Sequence, residues 1–168
     1  VAELGKAFGM QVIAYDPYLS QEQVNGFNVE LIPDLTKGLR DADYVSVHLP
    51  GGSEPMIGAA ELALMKPSAI IVNAARGGII DEQDLDQASR NRKIRAAALD
   101  VLVQEPPQGD CPLLNNPFIT ISPHNAGLTE ECAMRMGMAA AQNILDYFDG
   151  RLDMKLVVNA EAIGFKNV

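Results

Sequence analysis

The chain has 168 residues, 48% of them apolar and 21% charged, with a formal net charge of −9. That is the composition of a folded globular chain, not a disordered one. The acidic balance argues against nucleic-acid binding as the main activity, since few counterions would be released, and no apolar run approaches the roughly 20 residues that span a bilayer.

Val1, Leu4 and Phe8 fall at helical spacing without a cap or an initiator Met, as in the middle of a helix whose start is absent. Residues 10–16 are strand-like between Gly9 and Pro17, and residues 28–32 form a short second apolar run. A short helix is expected over 34–41, then a third strand over 43–49 that ends at Pro50-Gly51-Gly52. A helix over 59–65 precedes the most apolar stretch, 69–75, which is strand-sized and is followed by Gly77-Gly78. Residues 81–92 read as a helix with acids in its first turn and bases in its last, the arrangement that suits the helix dipole. Strands five and six are expected over 96–101 and 118–122. A long helix follows over 129–148, with Thr129 as N-cap and Asp149-Gly150 at its end.

Strands alternating with helices predict an α/β fold, a doubly wound parallel sheet of Rossmann type in three layers. Several strands are apolar on both faces, as burial between two helical layers requires. The expected division is a domain over 1–150 and a C-terminal tail over 151–168. Cys111 and Cys132 form no ligand spacing or disulfide framework, which points to no metal and to a reducing, cytoplasmic setting.

Ligands of such sheets bind outside the carboxyl ends of the strands, so the residues there matter most. Asp16, after the first run, either accepts the ribose hydroxyls of an adenosine cofactor or serves as a turn residue before Pro17. No Lys or Arg follows it closely to meet a 2′-phosphate, which favours NAD over NADP. Arg76, read as a buried strand-end residue, either grips a carboxylate in two-point contact or pairs with a structural acid such as Asp81. His124, between Pro123 and a small-residue turn, is either an acid–base group or a satisfied structural histidine. Glu105 is 19 residues upstream on the neighbouring strand end, within reach as its partner. His48 has no evident carboxylate partner and is structural or cofactor-adjacent.

In order, Asn73-Ala-Ala-Arg76-Gly-Gly78, Leu99-Asp100-Val101 with Glu105-Pro106, and Ser122-Pro123-His124-Asn125-Ala126-Gly127 resemble the D-isomer-specific 2-hydroxyacid dehydrogenases. Ala14-Tyr15-Asp16-Pro17-Tyr18, Val47-His48-Leu49-Pro50 and Leu64-Met65-Lys66-Pro67 extend the resemblance, which runs from Val1 to about Asn159. It implies hydride transfer between NAD(H) and C2 of a small D-2-hydroxy acid or 2-keto acid. It implies that Arg76 holds the substrate carboxylate and polarises the keto oxygen, that His124 moves the proton, and that Glu105 orients His124. Asp100 would contact the nicotinamide carboxamide and Asp16 the adenosine ribose, with His48, Pro50, Ala74, Arg76, His124 and Gly127 also lining the cofactor site. Formate dehydrogenases of similar fold typically carry Gln at the Glu105 position, so the ionisable group implies an alcohol–ketone substrate. Tyr15-Asp16-Pro17-Tyr18 is weakly similar to phosphoglycerate dehydrogenase members. A homodimer is the family expectation.

Two departures stand out. The 50–57 segment is shorter than is usual in the family, and no Gly-x-Gly-x-x-Gly occurs in the chain. The resemblance implies that the glycine loop, the first strand and the substrate domain lie outside this sequence. In the order 3-2-1-4-5-6 that strand separates the one ending at Asp16 from the one ending at His48. Two other readings remain, a non-catalytic NAD-sensing interaction protein like the corepressors that share the fold, and an inactive fragment of the dehydrogenase.

Overall fold

The computed structural model describes residues 1–27 and 29–160. Its chain forms two compact units, Val1–Ala126 and a second that begins at Gly127. In the first, α1 (Ala2–Ala7) leads into β1 (Ile13–Ala14), α2 (Gln21–Val24), β2 (Glu30–Leu31) and α3 (Leu35–Asp41). Next come β3 (Tyr44–Val47), α4 (Ala59–Leu64), β4 (Ile70–Asn73), α5 (Glu82–Arg90), β5 (Ala96–Leu99) and β6 (Ile119–Ile121). This is the parallel α/β architecture of Rossmann type that the alternation predicts.

The strands form two parallel ladders, β1–β2 and β3–β4–β5–β6. In the larger sheet Val47 is level with Asn73, Asn73 with Leu99, and Leu99 with Ile121. The residues that follow, His48, Ala74, Asp100 and Ser122, therefore leave the sheet along one edge, at strand spacings of about 4.8 Å. That register gathers the site.

Local chemistry explains the helix starts. Asp34 Oδ1 accepts from Thr36 N at 2.8 Å, and Asp81 Oδ1 accepts from Asp84 N at 2.9 Å, so each satisfies an orphan donor of a first turn. The start of α4 is held from two sides. Glu61 reaches back to Gly58 N at 3.0 Å, and Asp84 of α5 accepts from Ala59 N at 2.7 Å. Beneath the strand ends, Ile71, Leu62, Leu85, Ile94 and Leu113 are fully buried in one core. Packing of this density fixes the backbone from which the edge residues project.

The expected strands are present but shorter. Of residues 10–16 only Ile13–Ala14 pairs, and of 28–32 only Glu30–Leu31, Asn28 lying outside the described residues. Apolar character marks a segment for burial, but a ladder also needs a neighbour along its whole length.

The second unit holds α6 (Glu130–Phe148), capped by Thr129, whose hydroxyl accepts from Cys132 N at 3.1 Å as the sequence predicts. No helix among the described residues is long and apolar enough to cross a membrane.

Candidate active site at the strand ends

Asn73 shapes the first edge loop. Its side chain is buried, takes the Ala75 N–H at 3.0 Å and donates to the Arg76 carbonyl at 2.8 Å. Both halves of the amide are used, so the 73–76 turn is fixed and presents Arg76 outward. The side chain of Arg76 is exposed, not buried as the sequence reading has it, and its Nη1 donates to the Ala75 carbonyl at 2.7 Å. The strand ends at Asn73, three residues before Arg76, which explains the exposure. Among the described residues no acid pairs with Arg76, and Asp81 is engaged as the cap of α5. The loop after β3 passes close by. A Cβ on Gly51 would lie 3.6 Å from Arg76 Cβ.

Glu105 and His124 meet. Glu105 Oε2 is 2.6 Å from His124 Nδ1, while Oε1 accepts from Leu102 N at 2.8 Å. The hydrogen bond from His124 and then that from the Leu102 amide hold the Glu105 carboxyl below its ordinary value, against slight burial and the nearby charge of Asp100. An ionised Glu105 accepts, so Nδ1 carries a proton and Nε2 is the ring nitrogen left to face a reactant. His124 is half exposed.

The backbone of His124 is in the left-handed region, at φ 51°. His tolerates this better than most non-glycine residues, but at a cost that the surroundings must hold in place. Asp100 does so. Its buried carboxylate accepts from Ser122 Oγ at 2.5 Å, Asn125 N at 3.0 Å and Ala126 N at 2.9 Å, spanning the turn on both sides of His124. Burial opposes the charge, but the Ser122 hydroxyl and the two amides outweigh it, so the carboxyl sits below its ordinary value near 3.8. Three of its acceptor positions are therefore spent inside the protein.

A folded-state pKa below the unfolded one gives stabilisation that is complete above the unfolded value and is lost as pH falls through the folded one. Asp100→Asn places an NH2 where an acceptor is needed, and a buried unsatisfied donor costs about 1–3 kcal/mol. The variant is expected to lose that stability near neutrality and to show less of the loss on acidification to about pH 3. Denaturant titrations at the two pH values check this; equal stability of the two proteins at neutral pH would refute it.

The remaining predicted positions are placed as follows. Asp16 follows β1, and its Oδ1 accepts from Tyr18 N at 2.8 Å, the turn arrangement weighed against the ribose role. No basic residue stands between it and Gln23, so these residues fit NAD without a 2′-phosphate. His48 Nε2 is 2.8 Å from Ser46 Oγ, without a carboxylate partner among the described residues, and Pro50 and Ala74 are exposed on the edge loops. Gly127 belongs to the second unit. Asn73, Ser122 and Glu82, whose Oε1 accepts from Val103 N at 2.6 Å, support the edge loops and were not singled out by the sequence reading. A polar residue inside the apolar run 69–75 was the available signal for Asn73. No cluster of three His, Cys, Asp or Glu side chains that could hold a metal is present among the described residues.

Comparison with known proteins gives the family. Residues 1–126 match the family described as D-isomer specific 2-hydroxyacid dehydrogenase, NAD binding domain. The chain is 42% identical over 159 residues to a D-3-phosphoglycerate dehydrogenase of Methanocaldococcus jannaschii, covering 94% of this chain and 30% of that protein. A glyoxylate reductase of Aeropyrum pernix is 40% identical over 167 residues, covering 97% and 49%. The chain thus spans a third to a half of the length of these relatives. Among solved structures, a D-isomer specific 2-hydroxyacid dehydrogenase of Lactobacillus delbrueckii ssp. bulgaricus in its NAD complex superposes with a TM-score of 0.83 at 32% identity, over 94% of this chain and 52% of that one. By its matched domain, its sequence identity and its fold, the chain belongs to the D-isomer specific 2-hydroxyacid dehydrogenases.

Proposed function

We propose that the protein carrying this chain transfers a hydride between NAD(H) and C2 of a small D-2-hydroxy acid or 2-keto acid, with Arg76, Glu105 and His124 as its catalytic groups. The observation that carries the reading is the 2.6 Å contact between Glu105 and His124, which leaves Nε2 open on the same sheet edge as Arg76.

The cofactor of the matched domain is NAD, which supplies or receives the hydride when bound. Reduction of a ketone builds negative charge on its oxygen, so a cation and a proton donor must face that atom. Arg76 takes the substrate carboxylate in its planar fork and polarises the keto oxygen. His124 gives that oxygen a proton from Nε2 and takes it back in the reverse direction. Glu105 holds the ring by Nδ1 and so aims Nε2 at that oxygen. Asp16 receives the adenosine ribose, and Asp100, His48, Pro50 and Ala74 border the cofactor. A homodimer and a cytoplasmic setting complete the reading, supported by the exposed Met134, Met138, Ile144 and Phe148 of α6 and by two free thiols.

The test is loss of NADH absorbance with glyoxylate, hydroxypyruvate and phosphohydroxypyruvate, using the protein as its gene encodes it. Turnover with at least one is expected. Calorimetric NADH binding without turnover of any of the three would replace the enzyme by a cofactor-sensing interaction protein.

A further inference from the structure

Glu105 stands on the irregular segment after β5, outside any helix or strand. Two contacts restrain that segment. Glu82, at the first turn of α5, accepts the Val103 N–H at 2.6 Å, across 21 residues of sequence. From the other side Gly77 presses against it, since a Cβ there would overlap the Leu102 carbonyl and lie 2.6 Å from Val103 N. The same Leu102–Val103 stretch supplies the Leu102 N–H that holds Glu105 Oε1 at 2.8 Å. Helix dipole matching does not account for Glu82, because its carboxylate is spent on the loop and the orphan amide of Asp84 is already capped by Asp81.

We infer that Glu82 is a positioning residue: together with Gly77 it clamps the Leu102–Val103 peptide, and so sets where Glu105 meets His124 and where Arg76, one residue before Gly77, lies relative to that pair. The inference rests on the dehydrogenase reading given above. The clamp joins the arginine loop to the carboxylate loop through backbone, so the two keep one spacing while it holds and lose it when it is released. Gly77 is required on the arginine side because any side chain would displace the peptide that Glu82 holds.

The experiment compares Glu82→Ala, which removes the acceptor, with Glu82→Gln, which keeps an oxygen for Val103 N. Small misplacements of reacting groups cost up to about a hundredfold in rate. Glu82→Ala is therefore expected to lower kcat roughly 10- to 100-fold, with a smaller rise in KM as Arg76 shifts. It should also move the acid limb of the pH profile upward, as Glu105 loses the Leu102 amide that helps hold its carboxyl down. His124 and Asp100 are the ionisable groups acting on Glu105, and neither is altered. Glu82→Gln should restore most of the rate and the acid limb. Wild-type rate and pH profile in Glu82→Ala, or equal losses in both variants, would overturn the inference. If no keto acid is turned over, the dehydrogenase reading fails first. The clamp is then decided by carboxyl carbon NMR of Glu105 in the same proteins. An upward shift in Glu82→Ala alone supports it, and no shift refutes it. Should Glu82→Ala not fold, Glu82→Asp, one methylene short, takes its place with the same outcomes.

Discussion

Replacing His124 by alanine is expected to lower kcat about 10²- to 10⁴-fold while KM for the keto acid changes little, because general acid catalysis by a placed group is worth that much. The split follows from geometry. Nδ1 is taken by Glu105, so the imidazole offers Nε2 to the developing alkoxide and has no free atom with which to bind the ground-state carboxylate. An interaction made mainly in the transition state appears in kcat and kcat/KM alike. A steady-state assay of the variant, with its NADH affinity measured separately, checks the expectation. Turnover close to wild type would remove His124 from the chemistry. The same geometry predicts the acid side of the wild-type pH profile. The Glu105 carboxyl is held below its ordinary value near 4.5, so it remains ionised as pH falls through that value, and activity that needs the charge is lost only at lower pH.

What could be read from sequence, and what could not, follows the range of the interactions involved. Helix caps were legible because they are local. Thr129 satisfies an amide only three residues away and stands where spacing puts it, whereas Asp81, expected as the first acid within its helix, caps it instead. The strand ends were legible because an apolar run must stop where the chain leaves the core, which is why His48, Arg76, Asp100 and His124 could be picked out. Strand lengths were not, since pairing depends on the neighbour, and 10–16 pairs over two residues only. The expected burial of Arg76 failed for a related reason: the apolar run continues through Ala74 and Ala75, but the ladder ends at Asn73. Long-range hydrogen bonds were the least visible. Asp100 reads as a ligand residue at a strand end, yet most of its acceptor capacity goes to a hydroxyl and two amides 22 to 26 residues away. Glu82 reads as a helix-dipole acid, yet its partner is Val103. No periodicity encodes either contact.

Arg76→Ala is expected to cut kcat/KM by about 2–5 kcal/mol, a factor of roughly 30 to several thousand, with a large share in KM. Removing one partner of a desolvated ion pair leaves the other charge unmet, and here the abandoned partner is the substrate carboxylate. The structure makes this variant informative because Arg76 has so little other work. It is exposed, and among the described residues its side chain meets no acid and hydrogen-bonds only the carbonyl of the residue beside it. The loop it stands on is shaped by Asn73, which contacts Arg76 through its backbone carbonyl and so is indifferent to the side chain. Stability should therefore change by no more than about 0.5 kcal/mol, the range of ordinary surface substitutions, and thermal unfolding measured beside the kinetics separates loss of function from loss of fold. Arg76→Lys should recover only part of the loss, since an ammonium is a point charge and cannot meet both carboxylate oxygens in one plane. Full recovery by lysine would mean that charge alone matters at this position. An unchanged KM in the alanine variant would mean that the carboxylate is held elsewhere.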